Sequence, residues 1–308
     1  MKKLTLLIVS FFFTLLIFSV TITNPLGPTV VPVTGLMADT IEEEVEINVS
    51  LWKDANEAVA LLVSNQADFA VLPITVGANL YAQGLEIILL GVHEWKAFYL
   101  VSSSNVDFEN VKSLKGHEVY SPHGRGQTVD ILMRYLLVRN GLVPDKDVKF
   151  NYLPPQEIVS LYKSGKIEYA ALPEPFATLA VTGTEGRIVL DFQDEWNKIS
   201  GSRYGLPIAG LFVKKEILEK EPDIVSKVEN AFSESVDWAN RNLDQSLKIT
   251  NEYLTIPVPI LKEAMNRLVF EYIPILECKE EVENFLSTMH ELYPEGLPTL
   301  PTEGFYYK

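Results

Sequence analysis

A chain of 308 residues with 47% apolar and 22% charged side chains has the composition of a globular protein, and its length suits two domains better than one. A formal net charge of −15, with no Lys/Arg cluster, repels phosphate backbones and argues against a nucleic-acid partner. The one cysteine, Cys278, excludes an internal disulfide and a multi-cysteine metal site.

Met1-Lys2-Lys3 precedes an almost unbroken apolar run from Leu4 to Val20. This is the pattern of a secretory signal peptide, here placed at 1–19, with an uncleaved membrane anchor as the alternative. Exported proteins meet solutes outside the cytoplasm. No cysteine follows the run, so a lipid anchor on a mature N-terminal cysteine is not expected.

The next strand, Val20 to Thr23, leads into the turn Asn24-Pro25-Leu26-Gly27-Pro28-Thr29 and a helix, and a second strand is expected over Val45 to Leu51. Asp54 with Glu57 three residues later caps another helix. That helix opens a repeat. NEAVALLVSNQADFAVLP (56–73) and QEIVSLYKSGKIEYAALP (156–173) align without a gap at an offset of 100 residues, identical at seven of eighteen positions. Each copy reads as an amphipathic helix, a polar stop, a short buried strand and a proline. Upstream, His117 to Tyr120 and a Pro-x-Gly turn parallel the first half, and Asp147 to Tyr152 parallels its second strand. Each half is therefore strand–helix–strand–helix–strand, a small, mostly parallel sheet with helices on both faces.

Between the copies, Leu85 to Leu90 and Phe98 to Val101 read as strands, with the polar stretch Ser102 to Asn105 as the crossing into the second half. Beyond the second copy, Arg187 to Asp191 is a strand and Tyr204 to Val213 a return strand. Lys214 to Leu286 is expected to be helical, and Pro294 to Lys308 to be coil on the surface. The expected domains are a first lobe of 20–101 plus 203–308 and a second of 102–202.

In open α/β sheets ligands sit beyond the carboxyl ends of the strands, so the repeat nominates matching loops from both halves. In Ser121 to Thr128, two glycines allow a tight turn before a helix that runs to Asn140 and closes at Gly141. Its candidate contacts are His123, Arg125, Gly126, Gln127 and Thr128, with Arg125 either facing ligand or paired with a surface acid. The matching loop in the first half is Asn24, Pro25, Leu26, Gly27, Pro28 and Thr29. The strand ends of the repeat add Pro73, Ile74 and Thr75 on one side and Glu174 on the other. Glu174 can accept a ligand hydrogen bond or cap the next helix. Trp95 and Tyr204 can stack on a planar ligand or fill the interface between the lobes, whereas Trp52 and Trp238 read as core. Catalytic and metal patterns are missing: no two of the four histidines stand at i+3 or i+4, and there is no Gly-x-Ser-x-Gly. Neither enzyme chemistry nor a cofactor is expected.

The segment LKGHEVYSPHGRGQTVDILMRYLLVRNGL, together with ADFAVLP followed by YAQGLEIILLG, and SGKIEYAALPEPFA, resembles the ABC-transporter periplasmic solute-binding proteins for sulfonates, taurine, nitrate and thiamine-pyrimidine precursors. The likeness runs from about Val20 to Leu286, in the order and spacing of motifs. It implies an α/β, two-lobed periplasmic-binding-protein (type II) fold, each lobe a mostly parallel sheet flanked by helices and joined to the other by two crossovers. It also implies that a monomer captures a small organic solute between the lobes and delivers it to an ABC transporter permease with its ATPase. Family ligand positions carried over are Gly126, Gln127, Thr128, Glu174 and the Pro25–Pro28 loop. Gln127 and Asp130 depart from the family's turn, and an acid there disfavours a bare anion. Fold-related enzymes of pyrimidine or menaquinone precursor metabolism, or a sensory binding domain, are the alternatives.

Overall fold

The computed structural model describes residues 19–41, 45–122 and 124–308. The predicted signal peptide and His123 therefore lie outside the described residues, Ser19 excepted.

Two sheets form. In the first, β1 (Ser19–Pro25), β2 (Glu46–Trp52) and β3 (Phe69–Pro73) run parallel. They are joined through a 3₁₀ turn (Pro28–Val33), α1 (Thr34–Met37) and α2 (Ala55–Val63). The Asp54 side chain accepts from the Asn56 and Glu57 N–H groups and so starts α2 as its position predicts. After β3 come α3 (Ile74–Ala82) and β4 (Ile87–Lys96). The second sheet holds β5 (Phe98–Ser102), β6 (Glu118–Ser121), β7 (Lys149–Tyr152), β8 (Tyr169–Pro173) and β9 (Arg187–Asp191). Its helices are α4 (Thr128–Arg139), α5 (Pro155–Lys163), α6 (Phe176–Val181) and α7 (Phe192–Ser200).

The chain then returns to the first sheet in β10 (Ala209–Lys214), followed by α8 (Lys215–Lys220), α9 (Pro222–Arg241), α10 (Leu243–Thr250) and α11 (Val258–Met265). It continues into β11 (Val269–Pro274) and α12 (Ile275–Leu292). Strand orders are β11-β4-β10-β3-β1-β2 and β7-β6-β8-β5-β9. The two copies of the repeat thus end in the third strand of each unit, β3 and β8, in separate sheets. Phe69, Ala70, Val71 and Leu72 are wholly buried, as are Tyr169, Ala170, Ala171 and Leu172. Strands covered on both faces need such unbroken apolar runs.

Three expectations are corrected. Phe98–Val101 belongs to the second sheet, antiparallel to β8 and β9, so the chain crosses at Ala97 and not at Ser102–Asn105. His93–Lys96 continues β4 rather than linking two strands. The segment after Lys214 is not all helix, because Val269–Pro274 pairs with β4 as an edge strand. There Phe270 and Ile273 turn inward while Val269 and Glu271 face out, a strand pattern that the neighbouring helices mask in the sequence. The tail is anchored by buried Leu297, Phe305 and Tyr306. Among the described residues no helix is long and apolar enough to cross a membrane.

Candidate functional site

Strand direction brings the two carboxyl edges together. β10 is antiparallel to both β3 and β4, so β4 ends on the same edge as β1, β2 and β3. One residue later β5 enters the second sheet with Phe98 opposite Pro173, at the carboxyl end of β8. The joint, Ala97, is held on both sides. Its N–H donates to Gln193 Oε1 at 2.6 Å, and its carbonyl accepts from the Glu174 N–H at 2.7 Å. The return path reaches the first edge through Ile208, whose N–H donates to the Glu94 carbonyl and whose carbonyl accepts from the Ile74 N–H, both at 2.9 Å.

On the first edge, the Asn24 amide donates to the Pro25 and Thr29 carbonyls, and the Thr29 hydroxyl donates to the Pro25 carbonyl. These bonds curl the Asn24–Thr29 loop. Leu26 is tied by its N–H to the Trp52 carbonyl, Pro28 starts the 3₁₀ turn, and a side chain at Gly27 would enter open space. Asn24 Oδ1 and Thr75 Oγ1 are buried without a partner, and so is Trp52 Nε1 at the end of β2. Pro73, Ala209 and Glu94 form one row across the sheet, with Ile74 and Thr75 opening α3 beside it.

The second edge is arranged differently. The Gly126 N–H donates to the buried Asp130 carboxylate at 2.8 Å; Asp130 also binds Arg134 Nε at 2.9 Å and the Tyr152 hydroxyl at 2.7 Å. Arg134 continues to Asp145 at 2.7 Å, and Arg125 pairs with Asp145 at 3.0 Å. Arg125 also lies over the Tyr293 ring, 5.7 Å from its centroid. Charges alternate and cancel, so the described residues of this turn hold no spare cation for an anionic ligand. Gly126 has φ of 82° and lies under Tyr293, whose ring a Cβ would meet at 2.0 Å. It is glycine for two reasons, and its Cα faces the chain's own C-terminal segment. Gln127 is half-buried, Thr128 is 7% exposed, and neither makes a side-chain cap on α4. Ser121 Oγ is buried and partnerless at the end of β6. A groove of about 400 Å³ lined by Gly124, Tyr152, Leu153, Pro154 and Pro155 lies beside it.

Of the remaining candidates, Glu174 is wholly buried and caps α6. Its carboxylate accepts from the Thr178 N–H and hydroxyl at 3.0 and 2.9 Å, with Arg267 at 3.6 Å. Burial raises its pKa, opposed by the Thr178 bonds and the Arg267 charge. Trp95 is 2% exposed and donates its indole N–H to the Glu271 carbonyl; its ring meets Tyr204, whose hydroxyl reaches Glu277. Both aromatics serve the joint between lobes. The sequence pattern missed Ser121, Glu94 and the Trp52 nitrogen as polar groups at the ends of buried strands. A polar residue closing an apolar strand run was the available signal. Among the described residues no three His, Cys, Asp or Glu are grouped to hold a metal ion.

Relatives fit this architecture. A chain titled an ABC transporter from Parabacteroides distasonis superposes with a TM-score of 0.80 at 25% identity, covering 94% of this chain and 99% of that one. The periplasmic aliphatic sulphonate binding protein SsuA from Escherichia coli shares the fold, with a TM-score of 0.77 at 18% identity over 94% and 92% of the two chains. YtlA of Bacillus subtilis, named as a binding protein, is 23% identical over 205 residues, 65% of this chain and 59% of its own length. The chain thus spans little more than half of that curated relative. These relatives are binding proteins rather than enzymes, and the two-lobed α/β fold is that of periplasmic binding proteins. A profile of the NMT1-like family matches residues 58–250, well over half of the sequence, and the chain belongs to that family.

Proposed function

We propose that this protein is an exported, monomeric solute-binding protein that holds a small organic molecule between its two lobes and delivers it to an ABC importer. In this reading the lobes are the two sheets with their helices, and Ala97 and the 201–208 segment are the crossovers. The observation that carries it is the set of buried, partnerless oxygens at the facing carboxyl edges: Asn24 Oδ1 and Thr75 Oγ1 from one sheet, Ser121 Oγ from the other. Buried polar atoms are ordinarily paired, and each left unpaired costs about 1–3 kcal/mol. Three such atoms, contributed by two different sheets, suit a ligand that bonds both and so favours the closed arrangement.

Native mass spectrometry of freshly purified protein, followed by a thermal-shift screen of sulfonates, pyrimidines, amines and vitamins, tests it. A bound solute, or a compound that raises Tm in wild type and not in Thr75→Val or Ser121→Ala, is the expected result. Absence of any bound solute, together with no stabilising compound, overturns it.

A further inference from the structure

Four charged side chains are at least nine-tenths buried among the described residues: Glu94, Asp130, Arg134 and Glu174. Three are paired. Asp130 has Gly126, Arg134 and Tyr152; Arg134 has Asp130 and Asp145; Glu174 has Thr178 and Arg267. Glu94, 5% exposed, has neither a hydrogen bond nor an ion pair through its carboxyl group. It stands at the carboxyl edge of the first sheet, in the row with Ala209 and Pro73, three residues before the joint at Ala97. Its neighbour His93 packs its ring on Phe232 of α9, and the β4–β10 pairing slips by one residue here, a bulge of the kind that re-aims side chains at strand ends.

From this placement, and resting on the binding reading above, we infer that Glu94 recognises a cationic or N–H-donating group of the solute, such as an amine, an amidine or an amino-substituted nitrogen heterocycle. The electrostatics of the two edges favour that class over a sulfonate or nitrate. Arg125 and Arg134 are both committed to Asp145, which leaves no spare positive charge among the described residues of the glycine turn. Glu94 repels an anion when ionised and supplies no compensating positive charge when protonated.

Nothing else near Glu94 balances it. On its own strand His93 is kept neutral by burial, which lowers its pKa to about 3, and Lys96 is tied to Asp191. Lys214 of β10, Glu271 and Tyr272 of β11, Tyr81 of α3, and Glu277 and Cys278 of α12 do not bond it, and the C-terminal turn touches β4 at Leu89, five residues away. Burial alone pushes the Glu94 carboxyl up to about 8. In the free protein at neutral pH it is therefore mostly protonated, and docking of a cation ionises it, releasing a proton to solvent. Affinity for a cation should then rise up to about tenfold per pH unit between pH 6 and 8.

The test uses benzylamine, benzamidine and 4-aminopyrimidine as N–H probes, with ethanesulfonate and nitrate as anions, by thermal shift and calorimetry from pH 6 to 8. Wild type, Glu94→Gln and Thr75→Val are compared. Glu94→Gln removes a buried, unpaired acid and is expected to fold with undiminished stability. The expected result is stabilisation of wild type by an N–H probe, growing with pH and at least tenfold weaker in Glu94→Gln. Binding of an anion to wild type, equal binding of the N–H probe by Glu94→Gln, or a pH-independent affinity overturns the role of Glu94 while leaving a solute-binding cleft in place. A co-purified solute without an N–H or cationic group does the same. Silence of every probe in every variant, with no co-purified solute, overturns the binding reading itself.

Discussion

Ile74-Thr75 and Glu174-Pro175 follow matched prolines at the ends of matched strands, yet the two edges use their polar groups in opposite ways. On the second edge nearly every polar group is internally satisfied: Glu174 caps α6 and meets Arg267, and Asp130 holds the glycine turn. On the first, Thr75, Asn24 and Glu94 carry oxygens that none of the described residues bonds. A duplicated fold thus fixes where a side chain stands, while its neighbours decide whether it is spent on structure or kept for something else. The paired edge should respond to substitution through stability, and the unpaired edge through binding.

The largest effect is expected at Asp130. Its replacement by Ala strips Arg134 of one buried partner and frees the Gly126 N–H, and should cost about 3 kcal/mol in urea unfolding. Gly126→Ala should cost about 2 kcal/mol, from a left-handed backbone and a collision with Tyr293, and Tyr293→Ala in the same chain should recover the steric part. The contrasting Gly27→Ala, with φ of −174° and open space beyond, should change stability by less than about 0.5 kcal/mol.

Acid offers another way to separate the lobes. Burial lowers the His93 pKa to about 3; the nearby Ala209 backbone opposes this only weakly, since neither ring nitrogen makes a hydrogen bond of good geometry. The unfolded chain takes up this proton below about pH 6.5, whereas the native state resists it until about pH 3. His93 by itself therefore removes about 2 kcal/mol of stability at pH 5, while Glu94, protonated in the native state below about pH 8, adds stability over the same range. In a Glu94→Gln background, where the opposing acid is gone, His93→Leu should flatten the slope of unfolding curves measured from pH 7 to 5; an unchanged slope would show that the imidazole ring is not the cause. Thr75→Val, too, should act on binding and not on stability. Removing an unsatisfied hydroxyl should leave stability within about 1 kcal/mol of wild type, or slightly above it, while ligand-induced stabilisation disappears.

Much of this architecture is legible from residue order. The ungapped repeat anticipates β3 and β8 in different sheets, and Gly141 marks where α4 stops: Arg139 is its last residue and Gly141 has φ of 77°. Contacts between distant residues are not legible in this way. Arg125 looks like a free cation in a glycine turn until Asp145, twenty residues on, folds back beside it. Ser102 to Asn105 looks like a linker because it is polar, whereas the true crossing is hidden in a nearly continuous strand. Only the side chain of Gln193 makes a break at Ala97 possible, by replacing the lost ladder bonds of both Ala97 and Phe98. Similarly, Trp95 resembles a stacking platform until β11, a strand the sequence pattern does not announce, supplies the Glu271 carbonyl for its indole.

The fastening of Ala97 has a mechanical consequence. Both of its backbone polar groups are gripped by Gln193 and Glu174, residues of the second lobe, so the alanine travels as part of that body. Lys96 is drawn the same way through its ammonium contacts with Asp191 and Asp194. Any rotation between the bodies is thereby pushed back along β4 to the stretch beside Trp95 and Glu94. On the proposed binding reading, a molecule gripped there would sit almost on the pivot, where a few degrees of turn move it little while the outer rims sweep through a wide arc.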